Sequence, residues 1–230
     1  MESGLRLESL ERYAPATLIV GVSGDLLEVG RALGRNGEKI GLLSRNAQLL
    51  NRYKERLEEF GVECQAFVAD VTESHGVLNA IMKFSEWSPR VDRMIYNVGV
   101  LSTERAEKVT EGELARVMGA NFFGFVNCFQ LIQPMFQRLG HGHAVVMSSA
   151  AAMNPDGQPV AYAASKASLR IFLKALRREL AGKHITLTEL FLGQVKIGEE
   201  GRDLTCEEIV DGLMRVLVDK PDEFLVGQRP

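Results

Sequence analysis

Apolar residues fall along this chain in two alternating patterns. Short, nearly continuous apolar runs occupy residues 16–20, 39–43, 62–68, 91–96, 144–147, 185–192 and 224–226, and read as buried strands. Between them lie longer stretches with an apolar residue every three or four positions, which read as amphipathic helices over 25–35, 48–60, 74–87, 160–180 and 206–218. Residues 111–139 carry the same period in two pieces or as one long helix with Gly119 and Gly124 inside, and Pro134 is placed to kink or stop the last part. Punctuation agrees with these bounds: Asn36-Gly37 ends one helix, Gly61 another, and Thr205 is an N-cap for the last. Strands alternating with helices through the whole length predict an α/β fold, a doubly wound, mostly parallel sheet of about seven strands with helices on both faces.

Composition narrows the picture. The chain has 230 residues, 46% hydrophobic and 25% charged, as expected for one domain over 16–230 with a large core. Residues 1–15 form a polar arm in which Leu5, Leu7 and Leu10 keep no clear period; the arm does not read as a signal peptide. A net charge of −3 gives no reason to expect nucleic acid or an anionic membrane as partner. Cys64, Cys128 and Cys206 lie far apart without metal-ligand spacing, so reduced thiols and no metal are expected. No apolar run reaches the roughly 18 residues of a membrane span, and a cytoplasmic protein is the expectation.

The candidate chemistry centres on Tyr162 and Lys166. Four residues apart on a helix, they share one face. An ammonium so placed favours the phenolate and tunes the tyrosine for proton transfer. Ser149 follows the apolar strand 144–147 and is placed to meet the tyrosine across a cleft. In doubly wound sheets ligands bind beyond the carboxyl ends of the strands, where the strand order reverses. That point gathers three turns: Gly21 to Leu26, Asn97-Val98-Gly99 and Ser148-Ser149. Each also has a plainer reading as ordinary turn chemistry.

Ser149, Tyr162 and Lys166, in this order within a strand–turn–helix unit, resemble the active site of the short-chain dehydrogenase/reductase family. The resemblance runs from about residue 16 to 227 and implies a Rossmann fold. It adds Asn121 as fourth member of the catalytic set, an amide that bends its helix and holds a water in a proton relay. The family's glycine-rich pattern TGxxxGxG appears in altered form: Gly21 and Gly24 remain with Ser23 between them as a further cofactor contact, one residue is missing between the glycines, and Leu26 stands where the third glycine would be. Asp25 sets a carboxylate beside the phosphate position. The resemblance assigns Asp70 and Val71 to the adenine, Asn97 and Gly99 to the adenine ribose, Tyr162 and Lys166 to the nicotinamide ribose, and Gly193 and Val195 to the nicotinamide. Arg45, at the end of the second strand where NAD-binding proteins usually carry an acid, favours NADP(H) over NAD(H); a solvated loop arginine is the other reading. The implied function is NADP(H)-dependent interconversion of a small-molecule carbonyl and a secondary alcohol, by a homodimer or homotetramer. The altered glycine loop also fits an alternative, a non-catalytic nucleotide-sensing or scaffold relative.

Overall fold

The computed structural model describes residues 10–102, 104–192 and 204–226. In chain order its elements are β1 (Ala16–Val20), α1 (Gly24–Arg35), β2 (Lys39–Ser44), α2 (Ala47–Glu59), β3 (Cys64–Val68), α3 (Ser74–Trp87), β4 (Arg93–Tyr96), α4 (Glu111–Met118), α5 (Gly124–Leu139), β5 (Gly142–Ser149), α6 (Val160–Glu179), β6 (Ile185–Leu192), α7 (Cys206–Asp219) and β7 (Glu223–Leu225). The strands form one sheet in the order β3-β2-β1-β4-β5-β6-β7. Every pairing is parallel. The order reverses between β1 and β4, and that crevice is where such sheets hold ligands.

Because successive strand residues face opposite ways, each continuous apolar run feeds two cores. Leu18, Val20, Leu43, Met94 and Val146 pack with Val77 and Phe84 of α3, Phe125 and Phe136 of α5, and Leu169 and Leu173 of α6. Ile19, Ile40, Leu42, Ile95 and Val145 pack on the other side with Leu26 and Val29 of α1, Leu50 and Leu57 of α2, and Leu213 and Val216 of α7. Each such side chain contributes about 1.5–3 kcal/mol by leaving water, which holds the carboxyl rim of the sheet as a rigid platform.

The structure moves several expected boundaries. β5 continues through Ser148 and Ser149, which pair with Phe191 and Leu192 of β6. Val62 and Val91 are buried but lie outside the sheet ladder, so β3 and β4 start later than their apolar runs, while β7 starts and ends one residue earlier. Strand ends follow backbone pairing, which apolar sequence reports only indirectly. Pro134 does not stop α5, which carries on to Leu139. The burial of Met135, Phe136 and Leu139 beyond it outweighs the one backbone bond proline forfeits. The 111–139 stretch is neither one helix nor two separate ones. α4 passes into α5 through Gly119–Phe123, a segment of wider π-type winding centred on Asn121.

Candidate active site at the carboxyl rim

The β1–α1 turn is three residues long. Gly21 has φ +83°, and its amide donates to Leu43 O at 2.8 Å. A Cβ at Gly21 would fall 2.9–3.1 Å from Val98 and the Asn97 backbone, so only glycine lets this turn lie against the β4 turn. Asn97 stitches the two together, donating from Nδ2 to Gly21 O at 3.3 Å and Ser23 Oγ at 3.4 Å. Ser23 is the N-cap of α1 but makes no capping bond with its side chain, and the first amide used within the helix is that of Leu27, which donates to Ser23 O. The N–H groups of Gly24, Asp25 and Leu26 are thus the open end of a twelve-residue helix. Gly24 is exposed, and a Cβ there would meet nothing within 4 Å. Such an end suits the pyrophosphate of a dinucleotide, held by backbone donors and the helix dipole.

Leu26 and Asp25, two of the departures from the family pattern, turn in different directions. Leu26 does not plug the crevice. It is 1% exposed and packs into the core beside Ile19 and Val29, because the third residue of α1 falls on the face turned toward the sheet. Its side chain lies in the core, and its amide is one of the open donors at the helix start. Asp25 turns toward the start of α7. The nearby carboxylate pushes the Cys206 thiol up to about 11.

A cavity of about 560 Å³ opens beside this turn. Its walls bring together Gly21, Arg45, Asp70, Val71, Asn97 and Gly99, which the sequence had assigned to one nucleotide. Asp70 is fixed by Thr72, whose amide and hydroxyl donate to its Oδ1 at 2.9 and 2.8 Å. Those bonds, led by the backbone one, hold its carboxyl below the usual range, with the Arg45 guanidinium adding to them. Arg45 reaches Asp70 Oδ2 at 3.5 Å while its side chain stays 71% exposed. Its outer face remains open to solvent at the cavity edge.

The catalytic candidates come from β5, α6 and the π segment. Lys166 is 4% exposed, and its Nζ donates to Met147 O at 3.3 Å. Nζ stands 5.8 Å from the centroid of the half-buried Tyr162 ring. Burial pushes the Lys166 ammonium down to about 8, against the opposing pull of the Glu189 charge. Ser149, the last residue of β5, accepts from Ala151 N at 3.2 Å and so keeps its own proton to donate elsewhere. Gly99 sits against this group: a Cβ on it would lie 3.7 Å from Lys166 Nζ and 4.0 Å from Asn121 Oδ1.

The side chain of Asn121 makes three hydrogen bonds inside the protein. Oδ1 accepts from Val100 N at 2.7 Å, and Nδ2 donates to Val100 O at 3.1 Å and to Ser165 Oγ at 2.9 Å. Ser165 in turn donates to Tyr162 O at 2.7 Å. One line of hydrogen bonds therefore ties the β4 turn to the backbone of Tyr162. Ser165 was missed in the sequence; a buried serine three residues after Tyr162, on the inward helix face, is the trace it leaves. Glu189 was missed too. It is 0% exposed in β6, 3.5 Å from Arg170 Nη1, and burial pushes its carboxyl up. A lone acid within an apolar strand is its trace. Gly193 and Val195 lie outside the described residues. Among the described residues no group of three or more His, Cys, Asp or Glu is placed to hold a metal, and no helix is long and apolar enough to cross a membrane.

The short chain dehydrogenase family matches residues 16–203. An uncharacterized oxidoreductase of Myxococcus xanthus is 27% identical over 183 residues, 78% of this chain and 71% of that protein. The rhamnolipids biosynthesis 3-oxoacyl-(acyl-carrier-protein) reductase of Pseudomonas aeruginosa is 25% identical over 191 residues, 79% of this chain and 74% of that protein. Among solved structures, an alcohol dehydrogenase from the archaeon Thermococcus sibiricus, complexed with 5-hydroxy-NADP, superimposes with a TM-score of 0.81 at 24% identity, covering 95% of this chain and 99% of that one. With a matched family spanning most of its length and a parallel sheet open at the β1/β4 crevice, the chain belongs to the short-chain dehydrogenase family of oxidoreductases.

Proposed function

We propose that this chain interconverts a small-molecule carbonyl and a secondary alcohol with NADP(H) as cofactor. The observation that carries the reading is the buried Lys166 ammonium, set 5.8 Å from the Tyr162 ring and against the Gly99 turn that walls the nucleotide cavity. A bound nicotinamide would supply or take the hydride. In the reducing direction Tyr162 gives its hydroxyl proton to the substrate oxygen, and the Lys166 charge steadies the phenolate left behind. Ser149 donates its free hydroxyl proton to the same oxygen and orients it. Asn121 acts by holding the Val100 backbone and, through Ser165, the start of α6.

The open amides at the start of α1 would hold the pyrophosphate. Arg45 would take the 2′-phosphate with its exposed guanidinium, which favours NADP(H) over NAD(H). The names of the Pseudomonas reductase and of the archaeal enzyme's bound NADP derivative accord with this reading. Exposed Phe123 and Ile171, 52% and 66% accessible, support assembly as a homodimer or homotetramer through the faces that carry them, which a solution mass measurement would read.

Titration with NADPH and NADH, followed by nicotinamide fluorescence, tests the cofactor assignment. NADPH is expected to bind more tightly than NADH. Against a panel of ketones, Tyr162→Phe is expected to lose roughly 100- to 10,000-fold in turnover while NADPH affinity stays as in the parent. Binding of neither nucleotide would overturn the proposal in favour of a non-catalytic relative; undiminished turnover in Tyr162→Phe would overturn the mechanism.

A further inference from the structure

We infer that Tyr96 is a positioning residue, whose hydroxyl holds the bulge between α4 and α5 open and thereby keeps Asn121 on the Val100 backbone. The inference deepens the site reading above and rests on it for its catalytic consequence, though not for its structural one.

The argument starts from a backbone count. In a regular helix the Gly124 amide would donate four residues back, to Ala120 O. Here it donates five residues back, to Gly119 O. Ala120 O thereby loses the donor that a regular helix supplies, and Ala120 is only 7% exposed. A buried carbonyl left without a donor is costly. Tyr96, from the last position of β4, fills the vacancy: its hydroxyl donates to Ala120 O at 2.6 Å.

The tyrosine has a matching need. It is 0% exposed and packs edge-on against Phe125, with ring centroids 5.6 Å apart. A phenol so enclosed must find a partner, and burial also pushes its ionisation well above the usual range, so it stays a donor. Each group satisfies the other in the bulged register. In a regular helix Gly124 N–H would take Ala120 O instead.

Gly124 makes the approach possible. A Cβ there would fall 2.4 Å from Tyr96 Oη and 2.6 Å from Val71 Cγ2. Any side chain at 124 would push the hydroxyl off Ala120. The next residue after Ala120 is Asn121. Closing the bulge would turn it by about 100° relative to α5, away from Val100 and Ser165. The same bulge is therefore linked to the Gly99 turn on one side and to Tyr162 on the other.

The test reads the Val100 amide, which Asn121 Oδ1 holds at 2.7 Å. In Tyr96→Phe, without cofactor, its hydrogen exchange is expected to speed up by at least about tenfold, the equivalent of one buried hydrogen bond lost, and by more than that of the β1 amides. Exchange of Val100 unchanged in the folded variant would overturn the inference, whether or not the protein proves to be an oxidoreductase. If Tyr96→Phe does not fold, Gly124→Ala, which displaces the hydroxyl without removing it, is read in the same way. A second arm reads catalysis. Tyr96→Phe is expected to lower kcat for ketone reduction about tenfold with the KM for NADPH unchanged, and to add no further loss in an Asn121→Ala background. Losses that simply multiply would show that Tyr96 supports the fold without acting through Asn121.

Discussion

At the β1–α1 turn the groups offered to a ligand are backbone amides, those of Gly24, Asp25 and Leu26. At the β5–α6 side of the same rim they are side chains: Ser149, Tyr162 and Lys166. The first region departs from its family pattern, but its backbone donors stay open. A leucine replaces a glycine, yet that leucine points into the core and the helix still begins uncapped at the crevice. The second region keeps every expected side chain, and each has its own anchor: a line of hydrogen bonds from Val100 through Asn121 and Ser165 to the Tyr162 backbone, Met147 O for Lys166 and Ala151 N for Ser149. A site made of backbone needs only a turn of the right form, so several sequences serve. A site made of side chains needs particular atoms at particular places.

The largest expected effect separates stability from activity on the side-chain side. Lys166→Met should lower turnover by roughly 100- to 10,000-fold while raising the stability of the protein without cofactor. The sign follows from linkage. A buried amine at about 8 in the folded state binds its proton less tightly than in the unfolded chain, near 10.4, so the unfolded state holds more protons between those values. Measured against the Met variant, the parent should therefore gain about 2 kcal/mol of stability from pH 8 to 10.4. Denaturant melts at several pH values read this directly; equal slopes in parent and variant would show that Lys166 is not held so dry.

Leu26→Ala probes the backbone side. It should cost about 2–5 kcal/mol of stability, as a large-to-small change in a core, with NADPH affinity unchanged in the protein that remains folded. Altered affinity at equal foldedness would mean that this side chain does reach the nucleotide. The smallest effect is expected at the cavity edge. Arg45→Ala should weaken NADPH binding by about tenfold, one charge-assisted contact in solvent, and leave NADH binding as it was. Equal losses for both nucleotides would remove the 2′-phosphate from its role and leave the ion pair with Asp70 as its function.

Much of this was legible along the chain. The order of strands and helices along the chain and the grouping of Tyr162 with Lys166 follow from local signals: apolar period, glycine punctuation and a four-residue helical spacing; the crevice at the reversal of strand order comes from the general rule for doubly wound sheets. The misreadings were also local. The strand ends at 62 and 91 followed apolarity into residues that are buried but unpaired, and Pro134 was given a stopping power that burial on its far side overrides. Where the Leu26 side chain goes was not legible either, because a sequence shows which residue replaces a glycine and not where its side chain points.

By itself the sequence determined the architecture and the inventory of reactive groups, because periodicity and turn chemistry act between residues a few positions apart. Only the tertiary structure decided how those groups are held. The engagement of Asn121 with Val100 and Ser165, the donation from Tyr96 to Ala120 and the buried Glu189 beside Arg170 join residues between 19 and 44 positions apart in sequence. Those partners meet because two packed cores fix the strands and helices that carry them, and no local pattern records such a meeting.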